Sequence, residues 1–365
     1  MSDSEPVIVL DQYYLAITFF ITLTIQSLAF LISYALQFDK ITDFSGGANF
    51  AILALVTFLF GQTFEARNWV VTLATLLWSI RLAGFLLFRV LKRGQDNRFD
   101  EMRSNFGKFA GFWTFQLIWV WFVSWPITIL NSPSISGYHK FKNDDEIKSF
   151  GSTSDIIGFI FWFIGLMIET LADINKYQWK NLEKLGKTGS LPVCRIGLWK
   201  WSRHPNYFGE ILLWWGIWLM TIESAKNGGI SKSAQNLIYA SIISPIFITF
   251  LLMFISGLPT AERPVQQKIF IESHKHKQGS TEPNKSSDLN DPTNNQVDWQ
   301  DFQAYLNQTS ILIPIPNLIY THLPNWLKHS ILLDWPIYRF NEKVEGEHLI
   351  RSYEDSQPGP SNNHS

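Results

Sequence analysis

The stretch YYLAITFFITLTIQSLAFLISYAL, Tyr13 to Leu36, carries no charged residue. An α-helix needs about 20 mostly apolar residues to cross a bilayer at about 1.5 Å per residue. Acidic residues (Asp3, Glu5, Asp11) precede the run, which is also too long for a signal-peptide core, so it reads as a helix that stays. Further apolar runs follow at Asn49–Phe64, Trp69–Leu91, Phe112–Leu130, Ile156–Ala172, Tyr207–Thr221 and Leu237–Leu258. Backbone groups in lipid have to bond within their own segment, and none of these runs alternates as a strand would. The expectation is an all-α, polytopic membrane bundle of about seven transmembrane helices.

Bulk composition hides this. A net charge of −1 and a mean hydropathy of +0.03 would suit a soluble domain, but the apolar residues are gathered into blocks. Sixteen Trp fit a protein that meets two membrane–water interfaces. The near-neutral charge argues against nucleic acid as a partner. The one cysteine, Cys194, permits no internal disulfide, and the histidines lack metal-ligand spacing. There is no phosphate-binding Walker loop, and Gly46-Gly47 is no dinucleotide fingerprint without a βαβ unit around it.

Basic residues gather in loops 92–108 and 173–206, which places both loops and the C-terminus in the cytosol. Residues 1–272 form the transmembrane domain. Residues 273–298 are polar and low in complexity and read as a disordered insertion. In 299–340, Pro314, Pro316, Pro324 and Pro336 break any long helix, which leaves short helices on the cytosolic membrane surface. Residues 341–365 read as a disordered tail.

Chemistry concentrates where a basic loop enters an apolar run, Trp201-Ser202-Arg203-His204-Pro205-Asn206-Tyr207-Phe208-Gly209-Glu210. Pro205 suits a first helical turn, and a helix start attracts anions. Arg203 and a protonated His204 would reinforce that. Asn206 and Glu210 share a face at i, i+4, and an acid one turn inside a membrane helix is a functional hypothesis by default. The plainer reading has Arg203 and His204 on lipid headgroups and Glu210 at a helix contact. In ETLADINKYQWK, Glu169, Asp173, Tyr177 and Lys180 follow helical spacing; a solvated charged face competes with a ligand-binding stripe. Arg81, within Trp78-Ser79-Ile80-Arg81, is open between an ion pair with Glu169 or Glu210 and phosphate binding. Asp39–Asn49 (DKITDFSGGAN) reads as a helix break, with Asp43 left open between turn and pocket.

Several blocks resemble the DUF1295 membrane family, with its steroid 5-alpha-reductase C-terminal-like domain. They are LLWSIRLAGFLLFRVLKRGQDNRFDEMR (Leu76–Arg103), FQLIWVWFVSWPITILN (Phe115–Asn131), ETLADINKYQW (Glu169–Trp179), GLWKWSRHPNYFGEILLWWG (Gly197–Gly216), SGLPTAE (Ser256–Glu262) and YLNQTSILIPIP (Tyr305–Pro316). The resemblance implies an endoplasmic-reticulum oxidoreductase that uses NADPH to reduce a carbon–carbon double bond in a steroid, sterol or enoyl lipid. It places the cofactor on Arg81, Glu169, Asp173, Lys180, Arg203, His204, Asn206, Tyr207 and Glu210, with Tyr207, Glu210 and Asp43 as catalytic candidates. The steroid-type enzymes have Asn at Glu169, Arg at Lys180, and a steroid-binding Tyr near Trp78. Isoprenylcysteine carboxyl methyltransferases carry a similar R-H-P-x-Y-x-G, which implies S-adenosylmethionine and methyl transfer as the alternative. A non-catalytic lipid-binding protein is the third reading.

Overall fold

The computed structural model describes residues 6–37, 40–93, 102–136, 150–187, 192–226, 230–279 and 298–356. Every named element among them is helical. Five helices are long and apolar enough to cross a membrane: Leu15–Ala35, Thr42–Gly61, Ala66–Lys92, Thr153–Lys184 and the interrupted Lys232–Lys275. The runs Phe112–Leu130 and Tyr207–Thr221 are helical as well, but fall outside that group. The chain forms two compact units, one of Met1–Leu166 with Ile211–Thr249, the other of Met167–Glu210 with Phe250–Ser365.

In the first unit, the helix Leu15–Ala35 turns Thr18, Thr22, Gln26, Ala29 and Ser33 inward and leaves Phe20, Leu23, Leu28, Leu31 and Ile32 exposed. A water-soluble helix does the reverse. Small and hydroxyl-bearing residues facing neighbouring helices, with bulky apolar ones facing out, is how helices pack in lipid. Gln26 donates to Asn49 Oδ1 at 3.0 Å, and Gln116 donates to Gln26 Oε1 at 2.9 Å and to the Thr42 carbonyl at 3.0 Å. Amides from three helices thus hydrogen-bond to one another inside the unit.

Glycine sets two close approaches. The helix Thr42–Gly61 packs along Ala66–Arg93, and a Cβ on Gly47 would lie 3.1 Å from the Ala83 backbone. A Cβ on Gly158 would lie 2.7 Å from the Gly216 carbonyl oxygen, and one on Gly216 would lie 2.5 Å from that of Gly158. A bidentate pair closes one end of the unit: Arg67 Nε to Asp155 Oδ1 at 3.1 Å and Nη2 to Oδ2 at 2.7 Å, with both side chains buried.

Several expectations need correction. The helix Thr42–Gly61 starts within the stretch read as a break; Gly46 and Gly47 lie inside it, where Gln116, Trp119 and Ala83 leave little room for a side chain. Asp39 lies outside the described residues. The run Phe112–Leu130 divides into Phe106–Val123 and Trp125–Leu130, because Pro126 offers no N–H and crowds the preceding turn. The run Leu237–Leu258 divides into Lys232–Ala240, Ile243–Phe250 and a π-turn Leu251–Ile255, with Pro245 in the first turn after the interruption at 241–242.

In the second unit, the helix Arg263–Gly279 continues into the stretch read as disordered from 273; residues 280–297 lie outside the described part. The tail from 341 holds the helix Glu342–Asp355. Asn341 caps it, accepting from the Lys343 N–H at 3.2 Å, and Glu342 and Glu345 occupy its favourable first turn. Arg263 pairs with Glu345, the Trp299 indole donates to Glu342, and Gly346 lies against Phe270. Ile269, Trp299, Phe302, Tyr305, Leu306 and Phe340 form the core beneath.

Candidate active site around Arg203–Glu210

The signature junction is built within the second unit. The helix Thr153–Lys184 offers the Ala172 carbonyl to Trp199 Nε1 (2.8 Å) and Asn175 Oδ1 to the Leu198 N–H (3.3 Å). These bonds seat the short 3-10 turn Gly197–Lys200. Gly197 is required here: its φ is +56°, and a Cβ would overlap the Asn175 side chain. Lys176 lies over the Trp199 ring at 4.3 Å, and Trp179, Cys194 and Ala172 complete the seat.

The chain then runs extended, in parallel register with 310–312. Arg203 N–H donates to the Ser310 carbonyl (2.9 Å), His204 N–H to that of Ile311 (3.1 Å), and Ser202 Oγ to that of Leu312 (2.7 Å). From this pinned segment the helix Pro205–Ile222 begins, with proline at the position that needs no donor.

Two carboxylates meet the basic pair. Arg203 is only 4% exposed. Its Nη2 lies 3.1 Å from Asp334 Oδ1, and its Nη1 3.3 Å from Glu262 Oε2. His204 Nε2 lies 2.7 Å from Glu262 Oε1. Gln266 donates to Glu262 Oε2 at 3.0 Å and to the Tyr338 carbonyl at 2.9 Å. Asp334 also accepts from the Tyr320 hydroxyl and from Arg339 Nη2 at 3.3 Å. Two arginines thus face two carboxylates, and the knot is neutral when His204 is neutral. Burial lowers the His204 pKa below its usual 6.5; hydrogen bonding to Glu262 opposes that, and the Arg203 charge reinforces it. Burial alone would lower the Arg203 pKa too, but the Glu262 and Asp334 carboxylates override it and raise it.

Arg203 faces two carboxylates at the helix start, while its Nε and Nη1 make no hydrogen bond among the described residues. The sequence places Arg203 at an anion-attracting helix start or on lipid headgroups, and its local spacing gives no sign of Glu262 and Asp334 as partners. His204 stacks on Tyr207, with ring centroids 5.0 Å apart and planes 6° apart, which orients the phenol one turn into the helix. Asn206 Oδ1 is buried without a hydrogen-bond partner among the described residues. An unmet buried acceptor beside a preorganised helix start suits a ligand N–H donor.

The other candidates are placed as follows. Glu169 is buried, and Asp173 lies on the same helix. Lys180 pairs with Glu183 at 2.8 Å and lies over the Trp179 ring at 4.8 Å. Asp43 and Arg81 belong to the first unit. There Asp43 pairs with Arg89 at 3.1 Å, and the Arg81 guanidinium sits 5.8 Å from the Phe85 ring centre. No group of three metal-ligating side chains occurs among the described residues.

Comparison with curated proteins and with solved structures found no match to this chain. A family model does match: residues 29–280 fit DUF1295, described as a protein of unknown function. These residues take in the Arg203–Glu210 junction, the Glu169–Lys180 stripe and Glu262, and this multi-pass membrane chain is a member of the DUF1295 family.

Proposed function

We propose that this protein is an NADPH-dependent oxidoreductase that reduces a carbon–carbon double bond in a lipid-like substrate carrying a conjugated carbonyl. The observation that carries the reading is the pinned helix start with its unpartnered acceptor, Asn206 Oδ1. That acceptor suits the carboxamide or amino N–H groups of a nicotinamide cofactor, and the family resemblance points to the same cofactor. When bound, the cofactor would supply hydride to the β-carbon, and the α-carbon would take its proton from water. Asn206 accepts a ligand N–H. Tyr207, held by the His204 ring, donates a hydrogen bond to the substrate carbonyl oxygen as enolate charge develops. Glu262 keeps the His204 imidazole in one orientation and thereby keeps Tyr207 in place. Glu210 sits on the Asn206 face of the helix as a polar contact for the ligand. The basic loops and the C-terminus face the cytosol, where the cofactor is found, and the endoplasmic reticulum is the expected membrane.

Methyl transfer from S-adenosylmethionine is the rival reading, since its amino groups would also meet Asn206. Purified protein incubated with a membrane lipid extract and either cofactor separates the two. A product that gains two hydrogens with NADPH supports reduction. A product that gains a methyl group with S-adenosylmethionine refutes it. Turnover with neither supports the reading of a non-catalytic lipid-binding protein.

A further inference from the structure

Residues 317–339 lie beyond the family match; Tyr320, Asp334 and Arg339 turn inward to the knot, and the rest of the segment has no part in it. They contain the six-residue helices Asn317–His322 and Asn325–Ser330. At about 1.5 Å per residue, neither approaches the roughly 30 Å of a bilayer core. Yet this segment exposes large apolar side chains: Leu318 at 77%, Trp326 at 67%, and also Ile319, Ile331 and Ile337. All five fall between 318 and 337, and exposed apolar surface concentrated in one segment marks a contact face.

Beside these side chains lies a cleft of about 740 Å³, within the range of small-molecule sites. Lys328, His329 and Arg339 line it, with Asn307 and Asn325 as amide partners. Its one acid, Asp334, is already matched by Arg203, Arg339 and the Tyr320 hydroxyl. Lys328 Nζ rests over the Tyr320 ring at 4.6 Å, and the Asp334 N–H donates to the Lys328 carbonyl at 3.0 Å. The cation is therefore held at the wall of the cleft by the same residues that close the buried knot.

We propose that this segment is a lipid-surface site, in which the cleft takes the phosphate headgroup of an anionic phospholipid while Leu318, Trp326 and their apolar neighbours enter the acyl boundary. Apolar side chains beside a cationic cleft match a molecule that has both an anionic head and an apolar body. Free phosphate would use the cleft and leave the apolar residues without a role.

The test uses the full chain in neutral detergent, equilibrated with equal amounts of phosphatidic acid and phosphatidylcholine and read by native mass spectrometry. The unmodified chain retains phosphatidic acid in preference. Lys328→Ala weakens that preference about fivefold, the effect of one cation near an anionic lipid surface, and Lys328→Glu removes it. Leu318→Ser with Trp326→Ser also weakens retention, and all variants keep the parent melting temperature. Equal retention of the two lipids, or a preference that survives Lys328→Glu, overturns the proposal. Displacement of phosphatidic acid by inorganic phosphate, with Leu318→Ser and Trp326→Ser without effect, overturns it in favour of a free-phosphate site.

Discussion

Replacing Glu262 with alanine probes the knot most sharply. The change removes a carboxylate that faces Arg203 at 3.3 Å, accepts from His204 at 2.7 Å and accepts from Gln266 at 3.0 Å. Arg203 keeps Asp334, so the knot is left with a surplus positive charge in a site where the guanidinium is almost wholly buried. Breaking a buried pair by removing one partner costs about 3–5 kcal/mol, and a buried donor left unsatisfied costs about 1–3 kcal/mol. Because the groups share partners, these figures do not add, and about 3 kcal/mol is the lower bound. For a cooperative unit of this size, each kcal/mol lowers Tm by roughly 2–4 °C, so Glu262→Ala should melt at least about 6 °C below the parent in detergent. Adding Arg203→Met removes the stranded charge, and the double variant should be more stable than the sum of the two single losses allows. A Glu262→Ala protein that melts with the parent, or single losses that simply add, would refute the knot.

Four further outcomes follow. Gly158→Val forces a side chain against the Gly216 carbonyl; overpacking of this kind costs about 1–3 kcal/mol, and a thermal melt should show the loss. Removing the helix Glu342–Asp355 strips its contacts with Arg263, Phe270 and Trp299, so truncation after Asn341 should lower Tm, whereas a disordered tail would leave it unchanged. Because folding lowers the His204 pKa, the unfolded chain takes up that proton first as pH falls. Stability from this group is therefore full above the unfolded pKa and declines as pH drops below it; Tm measured across pH 7.5 to 5.5 (about a unit either side of the reference value) should fall in the parent and fall less in His204→Gln. Tyr207→Phe keeps the ring stack and removes the hydroxyl, so turnover should drop by about 10²-fold or more with cofactor binding retained, as assayed by product formation and titration.

The membrane class was legible because a bilayer demands long apolar runs, and the order of residues along the chain reports those directly even though bulk composition does not. The helix start at Pro205 was legible for a similarly local reason, since proline and the i, i+4 pattern act within one turn. The partners of Arg203 were not. Glu262 lies 58 residues from His204, and Asp334 lies 131 from Arg203; spacing within one helix carries no information about either. The block SGLPTAE did flag Glu262, but nothing in it says which cation that acid meets. Pro126 and Pro245 marked breaks that a hydropathy window averages away. The helix Glu342–Asp355 escaped notice because its few apolar residues give weak periodicity, although Asn341 followed by Glu342 and Glu345 was a capping signal in plain sight. Gly46-Gly47 looked like a break because their use, close approach to Trp119 and Ala83, depends on helices distant in sequence.

The most direct test is a titration of the purified full chain with NADPH, and separately with S-adenosylmethionine, followed by calorimetry, for the parent and for Asn206→Ala. The expected result is saturable NADPH binding that Asn206→Ala weakens at an unchanged melting temperature. Tight binding of S-adenosylmethionine without NADPH binding, or NADPH binding that Asn206→Ala leaves intact, would contradict the assignment of the Arg203–Glu210 junction.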